Sequence, residues 1–478
     1  MTEKCLFKSN GSVRLGSLGV YNTRPMSETK TPPMRGKLTE GHVGRTILGL
    51  TVPMFFGISA MIIASLADTW FVAQLGTNEL AAISFTMPVV TALTSIIFGI
   101  GIGTSSVVAR AAGEGDHSQV KRLATDSMLL TFVVTIFLAF IGYLLIESVF
   151  AAMGAQPELL PHIYAYMTIW YAGLIFMAVP MVGSNALRAL GDARIPALLM
   201  SGGAVLNIIF DPILIFGFAG IPGFGLEGAA LAMVLSRLIT FFIAIAVMHF
   251  RERIIVWQPP SFRVLWHSWK HIMYISIPAT ATNLIGPVSL AIILAMLAKY
   301  GPEAVAGFGI AARVEGFAVL ALFALSASIG PFVGQNWGAR KYTRVRQGLN
   351  FSFLVSALWG TGVAALMLPW SDWLAGLFDK NPAVVEVAAQ YLMIVPISYV
   401  AWGTLMIISA TFNALGRPLP STALSAIRMF ALYIPLAFLC EYYMGVLGIF
   451  VAAALSNVLI GILAYWWHWR IVRPPQKV

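Results

Sequence analysis

Two carboxylates in this 478-residue chain lie where a charge is costly: Asp68 inside an apolar stretch at 46–75, and Asp211 inside another at 196–218. An acid at the centre of a membrane-spanning helix costs roughly 2.5–3.5 kcal/mol on insertion scales, so such residues are rare without a task. Asp68 precedes Gly76 by eight residues and Asp211 precedes Phe218 by seven. At helical rise both stand about 12 Å from the same end of their helices. Asn207 is one turn from Asp211 on its face, and Pro212 frees a backbone carbonyl there. Two desolvated carboxylates at one depth repel each other, which favours protonating one of them. Such a pair could take up a proton on one side of a membrane and release it on the other. The alternative is structural, each Asp hydrogen-bonding a neighbouring helix. Tyr166, in the stretch 161–187, is available as a hydrogen-bond partner.

A second group lies at 305–333, where Arg313 and Glu315 are two residues apart and so do not face each other. Glu315 is near mid-depth; it could face a central cleft and bind a cationic substrate, or pair with a basic group such as Arg428. Arg237 and Arg428 read as structural or snorkelling residues, and Asp126 as a cap near Lys121 and Arg122. The 21 Met and 30 Phe could build an adaptable apolar wall, although most must face lipid or other helices.

The elements that position these residues follow from the composition. Hydrophobic residues make up 58% of the chain and charged ones 10%, too apolar for a soluble fold. Further apolar stretches occur at 81–108, 124–147, 227–248, 272–299, 349–374, 386–412, 421–440 and 446–468. With those above they make twelve, each reaching the ~20 residues a spanning helix needs. The fold class is therefore an all-α membrane protein of twelve transmembrane helices. Of the 30 Lys and Arg, 25 fall in the two tails and the even-numbered connections, while Lys299 and Lys380 alone fall on the other side. The excess of positive charge predicts that both termini are cytoplasmic. It also accounts for the net charge of +10 without nucleic-acid binding. Residues 1–45 carry no apolar segment and read as a disordered basic tail, with Met26 and Met34 as possible alternative starts.

An internal repeat organises the chain. A shift of 225 positions brings Pro53 onto Pro278, Gly76 onto Gly301, Gly113 onto Gly338, Tyr166 onto Tyr391, and Ala189-Leu190-Gly191 onto Ala414-Leu415-Gly416. Near the end the shift becomes 220, with Gly228 on Gly448 and Ser236 on Ser456. Each half has six spans, so the halves are parallel repeats about an axis along the membrane normal. The expected domains are an N-lobe at 46–248, a linker at 249–271, a C-lobe at 272–468 and a tail at 469–478. Under the same shift Asp68 falls on Ile293 and Asp211 on Leu436, so the second lobe lacks these carboxylates. Two such lobes with a cleft between them suit an alternating-access carrier. Walker A and His-Glu-x-x-His motifs are absent and the seven His form no ligand-spaced cluster, so neither an enzyme nor a resident metal or cofactor is expected.

Three motifs carry a resemblance. Leu66-Ala67-Asp68-Thr69-Trp70-Phe71-Val72 with Leu75-Gly76, Asn207-x-x-x-Asp211, and Gly334-Gln335-Asn336-Trp337-Gly338-Ala339 resemble signatures of the multidrug and toxic compound extrusion (MATE) family. The likeness covers 46–468. It implies a V-shaped carrier exporting organic compounds, often amphipathic cations, in exchange for H⁺ or Na⁺, with Asp68, Asp211, Asn207 and Tyr166 as the coupling network. Acidic residues that vibrio-type sodium pumps carry in spans seven and ten are missing here: 272–299 has none, and 386–412 has only Glu386 at its edge. The resemblance is thus to the prokaryotic DinF-like branch, which implies a monomeric antiporter in the bacterial cytoplasmic (inner) membrane. The alternatives are a lipid-linked sugar flippase of the same superfamily, with Arg313 and Arg428 as the few basic candidates for a pyrophosphate, and an intramembrane enzyme or channel.

Overall fold

In lipid, backbone N–H and C=O groups must be satisfied within their own segment, and each apolar stretch of this chain does so as a helix. The structure is a computed structural model that describes residues 37–471 apart from Ala219, Pro259 and Pro260. Most of the expected basic tail and the end of the C-terminal tail lie outside the described residues. Spans 1 to 6 run Val43–Ala73, Thr77–Glu114, His117–Leu144, Leu160–Ala189, Arg194–Phe216 and Gly225–Arg251. Spans 7, 9, 10, 11 and 12 run Phe262–Tyr300, Tyr342–Gly376, Pro382–Ala414, Pro418–Met444 and Val446–Trp469. Span 8 is a broken pair, Pro302–Ala318 and Leu320–Gly338, bent by 45°. Two other spans change their winding partway: span 10 tightens to a 3₁₀ turn at Val395–Ser398, and span 11 widens to a π-turn at Ile427–Tyr433. A small hairpin follows span 5, pairing Gly217 with Pro222 and Phe218 with Ile221.

The helices pack as two lobes. In the first, span 1 lies along span 5, span 2 along span 4, and span 6 against spans 4 and 5. In the second, span 8 lies along span 10, span 7 against span 11, and span 12 against spans 10 and 11. Between lobes, span 2 packs on spans 7 and 8, and span 1 on spans 8 and 9. The named contacts between lobes gather at the end that carries the basic connections. An apolar cluster there draws Ile47, Leu50 and Met54 from span 1 together with Ile329, Phe332 and Val333 from span 8 and Val345 and Leu349 from span 9.

The closest approach needs glycine. A Cβ on Gly113 of span 2 would overlap the Gln335 carbonyl, and one on Gly338 of span 8 would overlap the Arg110 carbonyl. Arg110 and Gln335 are 225 apart, as are the two glycines, so each contact is the other's image under the repeat. Between them a Cβ on Gly334 would stand 2.7 Å from that of Ala109, again its own image. The pseudo-two-fold axis therefore passes between spans 2 and 8. Side chains reinforce it reciprocally. Arg110 Nη1 donates to the Leu415 carbonyl (3.4 Å), and Gln335 Nε2 donates to the Ala189 carbonyl (2.6 Å).

The chain just ahead of span 1 is held in the same place. Gln335 Oε1 accepts from the Leu38 N–H (2.9 Å) and Asn336 Nδ2 donates to the Leu38 carbonyl (3.1 Å). Lys341 Nζ donates to the Thr39 carbonyl (2.9 Å), and Arg344 donates to the carbonyls of Glu40 and Gly41 (both 2.6 Å). Leu38 itself is only 3% exposed.

Gly113→Ala and Gly338→Ala each push a methyl into the backbone of the opposite lobe, an overpacking that costs about 1–3 kcal/mol. Both should lower the melting temperature in detergent. In a background lacking Cys5 and Cys440, both should also speed maleimide labelling of a cysteine placed at Leu38. Unchanged melting and labelling in the two variants would refute the tight approach.

Candidate functional site

Asp68 stands five residues before the end of span 1, and Asp211 five before the end of span 5, so their matched depth holds in the folded chain. Packing of span 1 along span 5, with spans 4 and 6 behind, turns both toward the interior of the first lobe. Asp211 is fully buried and its Oδ1 accepts from Asn207 Nδ2 at 2.8 Å. Asp68 is half-buried and lies within electrostatic reach of Asp211. Tyr166 is buried beside both. The four residues singled out in the sequence are thus brought together.

A fifth member was not anticipated. Arg237, read from the sequence as a structural or snorkelling residue, lies on span 6 within electrostatic reach of Asp68 and Tyr166. The cluster is therefore two carboxylates and one guanidinium with a neutral amide and a phenol. Asp68 Oδ1, Asp211 Oδ2 and Arg237 Nη1 are buried without a hydrogen-bond partner among the described residues. Free acceptors beside a fixed positive charge suit a proton that comes and goes. The carboxylate oxygens also suit a hard cation, which the adjacent Arg237 guanidinium opposes. Among the described residues no group of three His, Cys, Asp or Glu could hold a metal ion.

The second lobe has its own polar centre. Glu315 Oε2 accepts from the Tyr391 hydroxyl at 2.8 Å. Arg428 lies within electrostatic reach of Glu315, and its Nη1 donates to Asn457 Oδ1 (3.1 Å), whose Nδ2 donates to Ser398 Oγ (3.0 Å). The Tyr399 and Tyr433 hydroxyls are buried beside this group without a hydrogen bond of standard geometry among the described residues. Of the two alternatives for Glu315, a basic partner in Arg428 is what the structure provides. Arg313 is exposed on another face and does not join the group.

The residues missed in the sequence had a signal in the repeat. Tyr391 is the image of Tyr166 under the 225 shift, and Asn457 is the image of Arg237 under the 220 shift. Both lobes thus build their polar centres on the same pair of spans, the fourth and sixth of each repeat.

Comparison with known proteins follows from this geometry. The family model described as MatE matches residues 53–213 and again 278–439, two stretches that begin 225 positions apart. The FAD transporter of Shewanella oneidensis is 36% identical over 440 residues, 92% of this chain and 97% of that protein. The probable multidrug resistance protein YoeA of Bacillus subtilis is 26% identical over 450 residues, 92% of this chain and 97% of that protein. Among solved structures, a variant of the Vibrio cholerae MATE transporter VcmN superposes with a TM-score of 0.87 at 28% identity, covering 91% of this chain and 98% of that one.

Arg237→Gln would leave Asp68 and Asp211 without their counter-charge. Stripping a buried charge of its partner costs on the order of a few kcal/mol, so the melting temperature should fall near neutral pH. Acidification, which protonates the carboxylates, should narrow the deficit, and adding Asp68→Asn should recover most of it. A deficit indifferent to both would mean that Arg237 is held for some reason other than the acids.

Proposed function

The chain belongs to the MATE family of transporters, and we propose that it is a secondary antiporter exporting organic small molecules in exchange for inward H⁺ at the Asp68–Asp211 pair. The observation that carries this reading is the buried cluster of Asp68, Asn207, Asp211, Tyr166 and Arg237 within one lobe. Protonation of one acid leaves the other balanced by Arg237 and removes the repulsion within the pair. Span 1 transmits the change. It carries Asp68 toward one end and the interlobe residues Leu50 and Met54 toward the other, with Pro53 between them breaking a backbone hydrogen bond. Repacking of span 1 then alters the seal between lobes and turns the cleft to the other side. The membrane potential contributes about 2.3 kcal/mol per charge per 100 mV. Na⁺ at the same oxygens is the competing ion. The proposal places the protein as a monomer in a bacterial cytoplasmic membrane with both termini inside.

Two substrate readings apply. The resemblance to multidrug exporters supports amphipathic organic cations. The relative named as an FAD transporter favours an anionic dinucleotide. Arg313, charged and exposed on span 8, would then meet the pyrophosphate, because an intramembrane charge without a buried partner is least costly where it faces an aqueous cleft.

Proteoliposomes loaded with a dye cation, or with FAD, and given a pH gradient and then a Na⁺ gradient test the reading. The pH gradient should drive substrate movement. Asp68→Asn and Asp211→Asn should each reduce it to the rate of empty liposomes while yield and melting stay unchanged. Wild-type rates in both variants would remove the assignment of the ion site.

A further inference from the structure

We propose that the second lobe holds a separate proton-exchange site, the Glu315 carboxylate between Tyr391 and Tyr399 with Arg428 beside it, placed so that its charge state governs the break in span 8. This rests on the protein being an ion-coupled carrier but does not need the Asp68–Asp211 pair to titrate.

Three irregularities of the backbone meet at this point. Span 8 breaks at Val319, whose N–H gives its hydrogen bond to the carbonyl of Glu315 (2.9 Å). Span 10 tightens over Val395–Ser398, adjoining Tyr399, and span 11 loosens over Ile427–Tyr433, which holds Arg428 and Tyr433. Backbone departs from the α-helix at membrane depth where it is buried in protein or lines a polar chamber. Here each departure carries polar members of one cluster.

The chemistry of the cluster selects the ligand. Glu315 is faced by Tyr391 and Tyr399 from span 10 and by Arg428 from span 11, with Tyr433 beside Arg428, while Asn457 of span 12 and Ser398 hold Arg428 in place. Tyr399 and Tyr433 are 0% and 4% exposed, and the Tyr399 hydroxyl stands against Glu315. The rings of Phe308 and Phe450 close on Tyr391 at 5.6 and 5.1 Å. Packed rings suit a proton better than a drug-sized molecule, and an adjacent guanidinium opposes a metal cation. Hydronium from the aqueous side gives its proton to the carboxylate: one O–H bond forms on Glu315, one breaks in the donor, and water is left behind. Arg428 then loses its counter-charge, and the hydrogen-bonded chain through Asn457 and Ser398 passes the imbalance to span 12 and to the irregular turn of span 10.

The repeat supports the assignment independently. Tyr391 and Asn457 are the images of Tyr166 and Arg237, so both clusters use the same two spans of their repeat. The charged groups have moved: the carboxylates of the first and fifth spans of the N-lobe give way to one on the second span of the C-lobe, and the arginine passes from the sixth span to the fifth.

Infrared difference spectroscopy of the full chain in lipid nanodiscs, titrated with pH, tests this. The carbonyl stretch of a protonated carboxylic acid should persist in the Asp68→Asn/Asp211→Asn double variant and vanish when Glu315→Gln is added. Tyr391→Phe should keep that band but shift its frequency, which guards against Glu315→Gln merely misfolding. Absence of a titrating band in the double variant, its survival when Glu315→Gln is added to that variant, or its removal by Na⁺ at constant pH would each overturn the proposal. Loss of the Asp68 and Asp211 signals alone would count against the N-lobe reading and leave this one standing.

Discussion

Spans 2 and 8 meet where neither can carry a side chain. Gly113 against Gln335, Gly338 against Arg110, and Ala109 against Gly334 bring two backbones to van der Waals distance across the pseudo-axis. In lipid such approach is how helices associate, since no hydrophobic drive separates them from the surrounding tails. Everything else at that end hangs on it. The Gln335 and Asn336 amides reach the Leu38 backbone, Gln335 and Arg110 reach carbonyls of the opposite lobe, and the apolar cluster of spans 1, 8 and 9 closes around them.

Each lobe connects a charged centre to that junction by one helix, and the helices are not equivalent. In the first lobe span 1 runs from Asp68 to Leu50 and Met54. In the second, span 8 runs from Glu315 through its break to Gln335 and Asn336. A continuous helix transmits a tilt or a rotation, whereas a bent pair can change its angle while its far half stays clasped. Two symmetric scaffolds thus offer two different mechanical responses to a change of charge.

Hydropathy made the twelve spans legible, because lipid enforces length and apolarity on each. The repeat was legible because Gly and Pro positions reflect backbone geometry, which both lobes share. Asp68 and Asp211 stood out because an acid in an apolar run is costly. Arg237 did not, since a long basic side chain can usually escape to the interface; only the fold shows it meeting the acids of other spans. The surroundings of Glu315 were hidden because Tyr391, Tyr399 and Arg428 come from two other spans and phenols are ordinary in membrane helices. The break in span 8 has no proline at it, Pro331 lying a dozen residues on, so nothing local announced it. Span 7 begins at Phe262, ten residues before its apolar stretch, because its first turns are amphipathic and escape a hydropathy reading.

The contact between spans 2 and 8 also bears on ancestry. An interface in which each residue meets the image of its partner is the kind two identical six-helix subunits would form when they dimerise in the same orientation. Joined in one polypeptide, the copies are no longer obliged to be identical. Arg110 and Gln335 have diverged at matching positions, and so have the sites that carry acid in each half. Duplication and fusion kept the joint while freeing either half to specialise, something a homodimer could not do because any substitution would appear twice.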